Sequence, residues 1–174
     1  MRGCCAAGLG AAAGEVLGRG AGGGELSGDN GGMGMLNEAI IDTMVRQAMD
    51  ITRNAYLRHE SSLAVGACVL ASDGTLYSGC NLENRMPQLC ATAEQVAMQI
   101  ALADGKREFD GIAVIADTEE PYVPSGLSLQ LLAEFDVPEV VMANMNGLTD
   151  VKPLEALLPY YVRMKANKRF TFGK

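Results

Sequence analysis

Between residues 36 and 158 the sequence alternates short apolar runs with longer stretches whose apolar residues recur at helical spacing. The first pattern is typical of buried strands and the second of amphipathic helices. Because strands that alternate with helices favour a sheet covered on both faces, the sequence predicts an α/β fold. The predicted order is α-β-β-α-β-α-β-α, with helices over 36–56, 92–103, 126–135 and 154–158 and strands over 64–71, 75–80, 111–116 and 139–143.

Four residues carry specific expectations about these elements. Met44 and Met49 lie in the first predicted helix and are expected in the core. His59 is the one histidine of the chain, and we expect it at the C-terminal end of that helix, where a polar or cationic side chain is favourable. Pro153 is expected to open the last helix, because proline is well tolerated at the first helical position.

The two ends of the chain differ from this patterned region. The first 34 residues contain 13 of the 21 glycines and show no apolar periodicity. Such a segment cannot bury enough surface to offset its ordering entropy, so we predict that residues 1–34 are disordered. Residues 35–162 are predicted to form one domain, and the basic residues 163–174 a solvated C-terminal tail.

Charge and cysteine content exclude several classes of protein. The net charge of -7 disfavours binding to nucleic acid or to an anionic membrane, since both require clustered Lys and Arg. The apolar runs are far shorter than the roughly 20 residues of a membrane-spanning helix. The five cysteines are odd in number and include no Cys-x-x-Cys pair. We therefore expect a reducing compartment, the cytoplasm, and no disulfide framework.

Three motifs stand at the ends of predicted elements. They are Gly-Cys-Asn-Leu-Glu-Asn at 79–84, Thr-Ala-Glu-Gln at 92–95 and Pro-Ser-Gly-Leu-Ser-Leu-Gln at 124–130. In their order and spacing they resemble the cytidine deaminase family, which reads G-C-N-[VIF]-E-N, then [CH]-A-E, then P-C-x-x-C-R-Q. The resemblance implies a three-layer α/β/α sandwich with a mixed, mostly five-stranded sheet.

The resemblance also implies roles for particular residues. In the family, three Cys or His ligands hold Zn²⁺, which supplies the hydroxide that attacks cytosine, and a glutamate shuttles protons. Glu94 matches that glutamate, and Asn81 and Glu83 match the residues that hold the ribose hydroxyls. Leu63 or a neighbour stands where the family usually has an aromatic residue against the base.

The zinc-ligand positions of the family fall on Thr92, Ser125 and Ser128. Neutral hydroxyls are not zinc ligands, so we expect no zinc and no other cofactor. Bound zinc lowers the pKa of water from 15.7 to about 7, which is roughly 12 kcal/mol in the cost of hydroxide. Because Ser and Thr are good N-caps, hydrogen bonds are expected to close the site. A metal site formed by Cys68, Cys80 and Cys90 is the alternative.

These observations predict a catalytically silent relative of the deaminases that binds a pyrimidine nucleoside or serves as a structural or regulatory subunit. Two alternatives stay open. One is an active cytidine deaminase with an atypical metal site, and the other is a different enzyme that uses Glu94 without a metal. The resemblance further implies a homo-oligomer, a tetramer or a dimer, in which the apolar residues 154–161 could pack between subunits.

Overall fold

The computed structural model describes residues 36–162, so the predicted disordered segment 1–34 and the predicted basic tail 163–174 lie outside the described residues. The elements of the described part follow the predicted order, with one additional strand. The helices are α1 (Glu38–Thr52), α2 (Ala93–Ala103), α3 (Gly126–Glu134) and α4 (Leu154–Leu157). The strands are β1 (Val65–Ala71), β2 (Leu76–Cys80), β3 (Phe109–Ala116), β4 (Glu139–Asn144) and β5 (Thr149–Pro153).

The strands form one mixed sheet in the order β2-β1-β3-β4-β5. β1 is antiparallel to both β2 and β3, whereas β3 and β4 are parallel and β4 and β5 antiparallel. The parallel pair requires a crossover, which α3 provides between β3 and β4. The mixed five-stranded sheet implied by the family resemblance is therefore confirmed.

Both faces of the central strands are buried, which explains why they read as continuous apolar runs. Along β1, Ala67 and Val69 pack on the side of α2 and α3, while Cys68 and Leu70 pack on the side of α1. The same alternation continues through β3 and β4. The result is the predicted three-layer α/β/α sandwich, with α1 on one face and α2 and α3 on the other.

The first helix is shorter than predicted. Asn37 caps its N-terminus by accepting a hydrogen bond from Ile40 N at 2.9 Å, and it ends at Thr52. The position expected for His59 was therefore wrong, because His59 lies seven residues beyond the helix. Met44 is fully buried as predicted, but Met49 is 39% exposed, so the prediction that it belongs to the core was wrong.

The fifth strand was absent from the patterns read from the sequence. Thr149–Pro153 is a polar edge strand that follows the Asn146-Gly147 turn, and its exposed side chains give no strand-like alternation. Pro153 ends this strand and occupies the N-cap position of α4 in an extended conformation. The helix begins at Leu154 as predicted, and Pro153 stands at its N-cap, one position before the first helical residue. Within residues 36–162, no helix has both the length and the apolarity to cross a membrane.

Candidate functional site

The N-termini of α2 and α3 meet beside β1, and each is capped by a hydroxyl side chain. Thr92 Oγ1 accepts from Gln95 N at 3.3 Å, and Gln95 Oε1 in turn accepts from Thr92 N at 3.0 Å, which completes a capping box. Ser125 Oγ accepts from Ser128 N at 3.3 Å at the start of α3. The predicted role of these hydroxyls as helix caps is confirmed for Thr92 and Ser125.

The two caps also contact each other through Ser128. Thr92 Oγ1 lies 3.1 Å from Ser128 Oγ, and Ser125 Oγ lies 3.3 Å from the same atom. Ser128 is fully buried. The structure therefore brings Thr92 together with Ser125 and Ser128, which follow it by 33 and 36 positions. The resemblance places all three residues at the metal position. They form one continuous hydrogen-bonded group, here called the hydroxyl cluster.

Glu94 lies directly beside the hydroxyl cluster in the first turn of α2. Its side chain is only 1% exposed, and neither carboxyl oxygen has a hydrogen-bond partner among the described residues. Burial raises the pKa of this carboxyl, while its own backbone amide and then the hydroxyls of Thr92 and Ser128 act in the opposite direction. Neither hydroxyl meets hydrogen-bond geometry with the carboxyl, and burial is the largest influence on its pKa.

Replacing Glu94 with glutamine should change how stability depends on pH. The folded-state pKa lies above the ordinary value of 4.5, so the folded protein holds this proton to higher pH than the unfolded chain does. The stability contributed by the protonated carboxyl is fully present below pH 4.5 and is lost as the pH rises through the folded-state pKa. Urea unfolding between pH 4 and 8 should show Glu94→Gln gaining stability over the native protein as pH rises, by up to about 1.4 kcal/mol per pH unit. A difference that is flat with pH would contradict this.

The donor set of the hydroxyl cluster does not fit zinc. Zn²⁺ in proteins is held by thiolate, imidazole or carboxylate. The cluster offers three neutral hydroxyls, two of which already accept hydrogen bonds from helix N–H groups. Glu94 is a carboxylate beside them, but no group of three His, Cys, Asp or Glu side chains within residues 36–162 is arranged to supply the three protein ligands of a catalytic zinc site.

The alternative metal site built from Cys68, Cys80 and Cys90 is wrong for the described residues. No group of three His, Cys, Asp or Glu side chains among them is arranged to share an ion. Cys68 is buried on the α1 side of the sheet, where burial raises the pKa of its thiol to about 11 and opposes thiolate formation. Cys90 is exposed and accepts a hydrogen bond from Asn84 N at 3.1 Å.

A cavity of about 560 Å³ opens next to Glu94. This volume is in the range that accommodates small-molecule ligands. Asn81, Glu83, Thr92 and Glu94 line it, so the structure brings four of the predicted site residues to one cavity. Leu63 is not among its lining residues.

Asn81 and Glu83 both form hydrogen bonds with the backbone of the segment that leads into β1. Asn81 Oδ1 accepts from Val65 N at 2.9 Å, and its Nδ2 donates to Leu63 O at 2.9 Å. Glu83 Oε2 accepts from the backbone amide of Arg58 at 2.6 Å. The side chain of Ser62 and then this amide lower the pKa of Glu83, which favours its ionised form. Both residues line the cavity and use part of their hydrogen-bonding capacity on backbone groups of the chain itself.

Tyr122 also lines the cavity, and the sequence patterns did not single it out. Burial and then the charge of Glu94 raise the pKa of its phenol, and both side chains line this cavity. It lies between Pro121 and Pro124, outside the predicted helices and strands. The available signal was an isolated aromatic residue three positions before the motif residue Ser125.

Comparison with known sequences agrees with the fold and the motifs. Residues 39–144 match the family described as "Cytidine and deoxycytidylate deaminase zinc-binding region". The cytidine deaminase of Sporosarcina psychrophila is 37% identical over 122 residues, which cover 68% of this chain and 88% of that protein. The cytidine deaminase of Halalkalibacterium halodurans is 33% identical over 118 residues, covering 67% and 89%.

Solved structures lead to the same family. The crystal structure of cytidine deaminase from Burkholderia pseudomallei is similar with a TM-score of 0.66 and 36% identity, covering 70% of this chain and 98% of that one. Cytidine deaminase from Mycobacterium leprae is similar with a TM-score of 0.58 and 27% identity, covering 68% and 97%. The family match spans more than half of the chain and coincides with the three motifs. The chain therefore belongs to the cytidine and deoxycytidylate deaminase family.

Proposed function

We propose that this chain is a catalytically silent family member that binds a pyrimidine nucleoside in the Glu94 cavity without hydrolysing it. The observation that carries the proposal is the hydroxyl cluster of Thr92, Ser125 and Ser128, whose oxygens are 3.1 Å and 3.3 Å apart. Two of these hydroxyls, those of Thr92 and Ser125, also cap helices α2 and α3, so the fold has a use for them that needs no metal.

The energetic consequence is large. Without zinc, making hydroxide near pH 7 costs roughly 12 kcal/mol more than it does on the metal. A positioned acid–base group such as Glu94 contributes only about 10²- to 10⁴-fold, or roughly 3 to 5 kcal/mol. Glu94 therefore cannot replace the missing Lewis acid by itself.

Nucleoside binding is supported by what surrounds the cluster. The cavity has a ligand-sized volume, and Asn81 and Glu83 line it, as expected of residues that hold ribose hydroxyls. The relatives described above are named cytidine deaminases. We further propose a cytoplasmic homo-oligomer, a tetramer or a dimer, in which the chain could also act as a structural or regulatory subunit.

Glu94 favours a second candidate function, an active cytidine deaminase with an atypical metal site. A carboxyl that is 1% exposed and has no hydrogen-bond partner among the described residues is costly to bury. Such groups are common where a ligand or an ion completes the site. A nucleoside base can complete this site as well as an ion can. Metal content and turnover therefore distinguish the active enzyme from the silent nucleoside binder.

The test uses the purified full-length chain with and without added zinc. We expect less than about 0.1 zinc per chain by elemental analysis and no conversion of cytidine to uridine by ultraviolet absorbance. Cytidine and uridine should each raise the unfolding temperature. Stoichiometric zinc, or turnover that disappears in Glu94→Gln, would replace the proposal with the active-enzyme alternative. If neither nucleoside binds, the structural-subunit form of the proposal is the one that survives.

A further inference from the structure

The cavity beside Glu94 contains one aromatic side chain among its described lining residues, Tyr122. Its other apolar lining residues are the aliphatic Val65, Leu82 and Leu127 together with one proline, one cysteine and two alanines. Leu63, which takes the place of the aromatic residue expected from the family, does not line the cavity. A planar base that enters this cavity therefore meets an aromatic surface at Tyr122 alone within the described part of the chain.

Tyr122 is held in place by the backbone of the loop that carries it. Tyr122 N donates to Ala143 O at 3.0 Å, which ties the loop to the end of β4. The fully buried side chain of Asn144 donates to Glu119 O at 2.7 Å, which fixes the same loop three residues earlier. Pro121 and Pro124 restrict the backbone on either side of Tyr122. The Tyr122 side chain itself is partly buried against the hydrophobic core, so it loses little conformational entropy when a ligand packs against it.

We infer that Tyr122 recognises the planar base of the ligand by stacking, as a specificity-determining residue of the Glu94 cavity. The inference rests on the proposed function, because it names how a bound nucleoside is selected. Tyr122 and Glu94 line the same cavity and lie close enough that the charge of one affects the other. The cavity thereby offers an aromatic surface for the ring and a carboxyl for the polar edge of the base.

Stacking makes a prediction that hydrogen bonding does not. Uridine and 5,6-dihydrouridine carry the same carbonyl and N–H groups, but only uridine has a planar aromatic ring. Stacking of a base on an aromatic side chain corresponds to about five- to 150-fold in affinity. The native protein should therefore bind uridine about tenfold or more tightly than dihydrouridine.

The experiment measures the Kd of both ligands by titration calorimetry or NMR for the native chain, Tyr122→Phe and Tyr122→Leu. Tyr122→Phe should retain the preference for uridine within about threefold. Tyr122→Leu should lose about tenfold or more in uridine affinity and little in dihydrouridine affinity. Val123→Ala is the matched control, since Val123 is in the same loop, 59% exposed, and not among the cavity-lining residues. Unfolding temperatures check that each variant is folded.

Three results would overturn the inference. Tyr122→Leu could keep its preference for uridine, it could lose both ligands equally, or Tyr122→Phe could lose as much as Tyr122→Leu. The last result would assign the role to the phenol hydroxyl. If the native chain binds neither uridine nor cytidine, this inference and the nucleoside-binding proposal both fail. If the chain hydrolyses cytidine, the proposal that it is catalytically silent fails. The preference for uridine over dihydrouridine still tests the role of Tyr122 in that case.

Discussion

Replacing Thr92, Ser125 and Ser128 together with cysteine should make the chain bind about one zinc ion. The three hydroxyl oxygens are already separated by 3.1 Å and 3.3 Å along the cluster. Thiolates around a tetrahedral zinc with bonds of about 2.3 Å stand about 3.8 Å apart. Two of the three pairs, Thr92–Ser128 and Ser125–Ser128, are therefore within about 0.7 Å of the separation that zinc thiolates require. The cluster therefore differs from a zinc site in the chemistry of its donors more than in these two separations.

The expected effect on stability has two parts. Without metal, the triple cysteine variant should be less stable than the native chain, because each lost hydroxyl cap costs about 1 kcal/mol. Free zinc at about 1,000 times its Kd should then add about 4 kcal/mol. Elemental analysis and thermal unfolding with and without a chelator measure both parts.

The matched control replaces the same three residues with alanine. That variant should lose the caps to a similar extent and gain no zinc. A triple cysteine variant that folds but binds no metal would show that residues 92, 125 and 128 do not occupy the ligand positions, and the family-based assignment of Glu94 would fall with it.

Gly66→Ala should be among the most destabilising single substitutions in the domain. A Cβ atom at Gly66 would lie 1.9 Å from Ala48 O and 2.8 Å from Thr52 Cγ2, so β1 and α1 could not keep their present separation. The nearest obstacle is backbone and cannot rotate away. Because overpacking a core usually costs about 1 to 3 kcal/mol when side chains can adjust, we expect about 3 kcal/mol or more here.

Chemical denaturation of Gly66→Ala beside Gly126→Ala tests this prediction. Gly126 opens α3, and beyond its own helix backbone and chain neighbours a Cβ atom there would meet no atom of residues 36–162 within 4 Å. Gly126→Ala should be neutral or should stabilise by up to about 1 kcal/mol, since alanine is the better helix former. If the two variants are equally stable, the close approach of α1 to β1 at Gly66 is not a constraint on the fold.

Local sequence signals predicted most elements because the physics that forms them is local. The buried strands are apolar on both faces, and the Thr92-x-x-Gln95 capping box marks the start of α2 within one residue. The predicted end of α1 lies beyond the observed end, because the apolar spacing continues to Ala55. There the backbone of Tyr56 instead bonds to Asn81 O and Glu83 N, a tertiary contact that the spacing does not encode.

The sequence by itself determined the layered α/β architecture, the family and the chemical nature of residues 92, 125 and 128, since periodicity, motif order and side-chain type are all written along the chain. Only the tertiary structure decided that these three hydroxyls touch, that Glu94 beside them has no hydrogen-bond partner within residues 36–162 and that Tyr122 reaches the same cavity. The reason is that these relations join segments about 30 residues apart, and their distances depend on how α2 and α3 pack against the sheet.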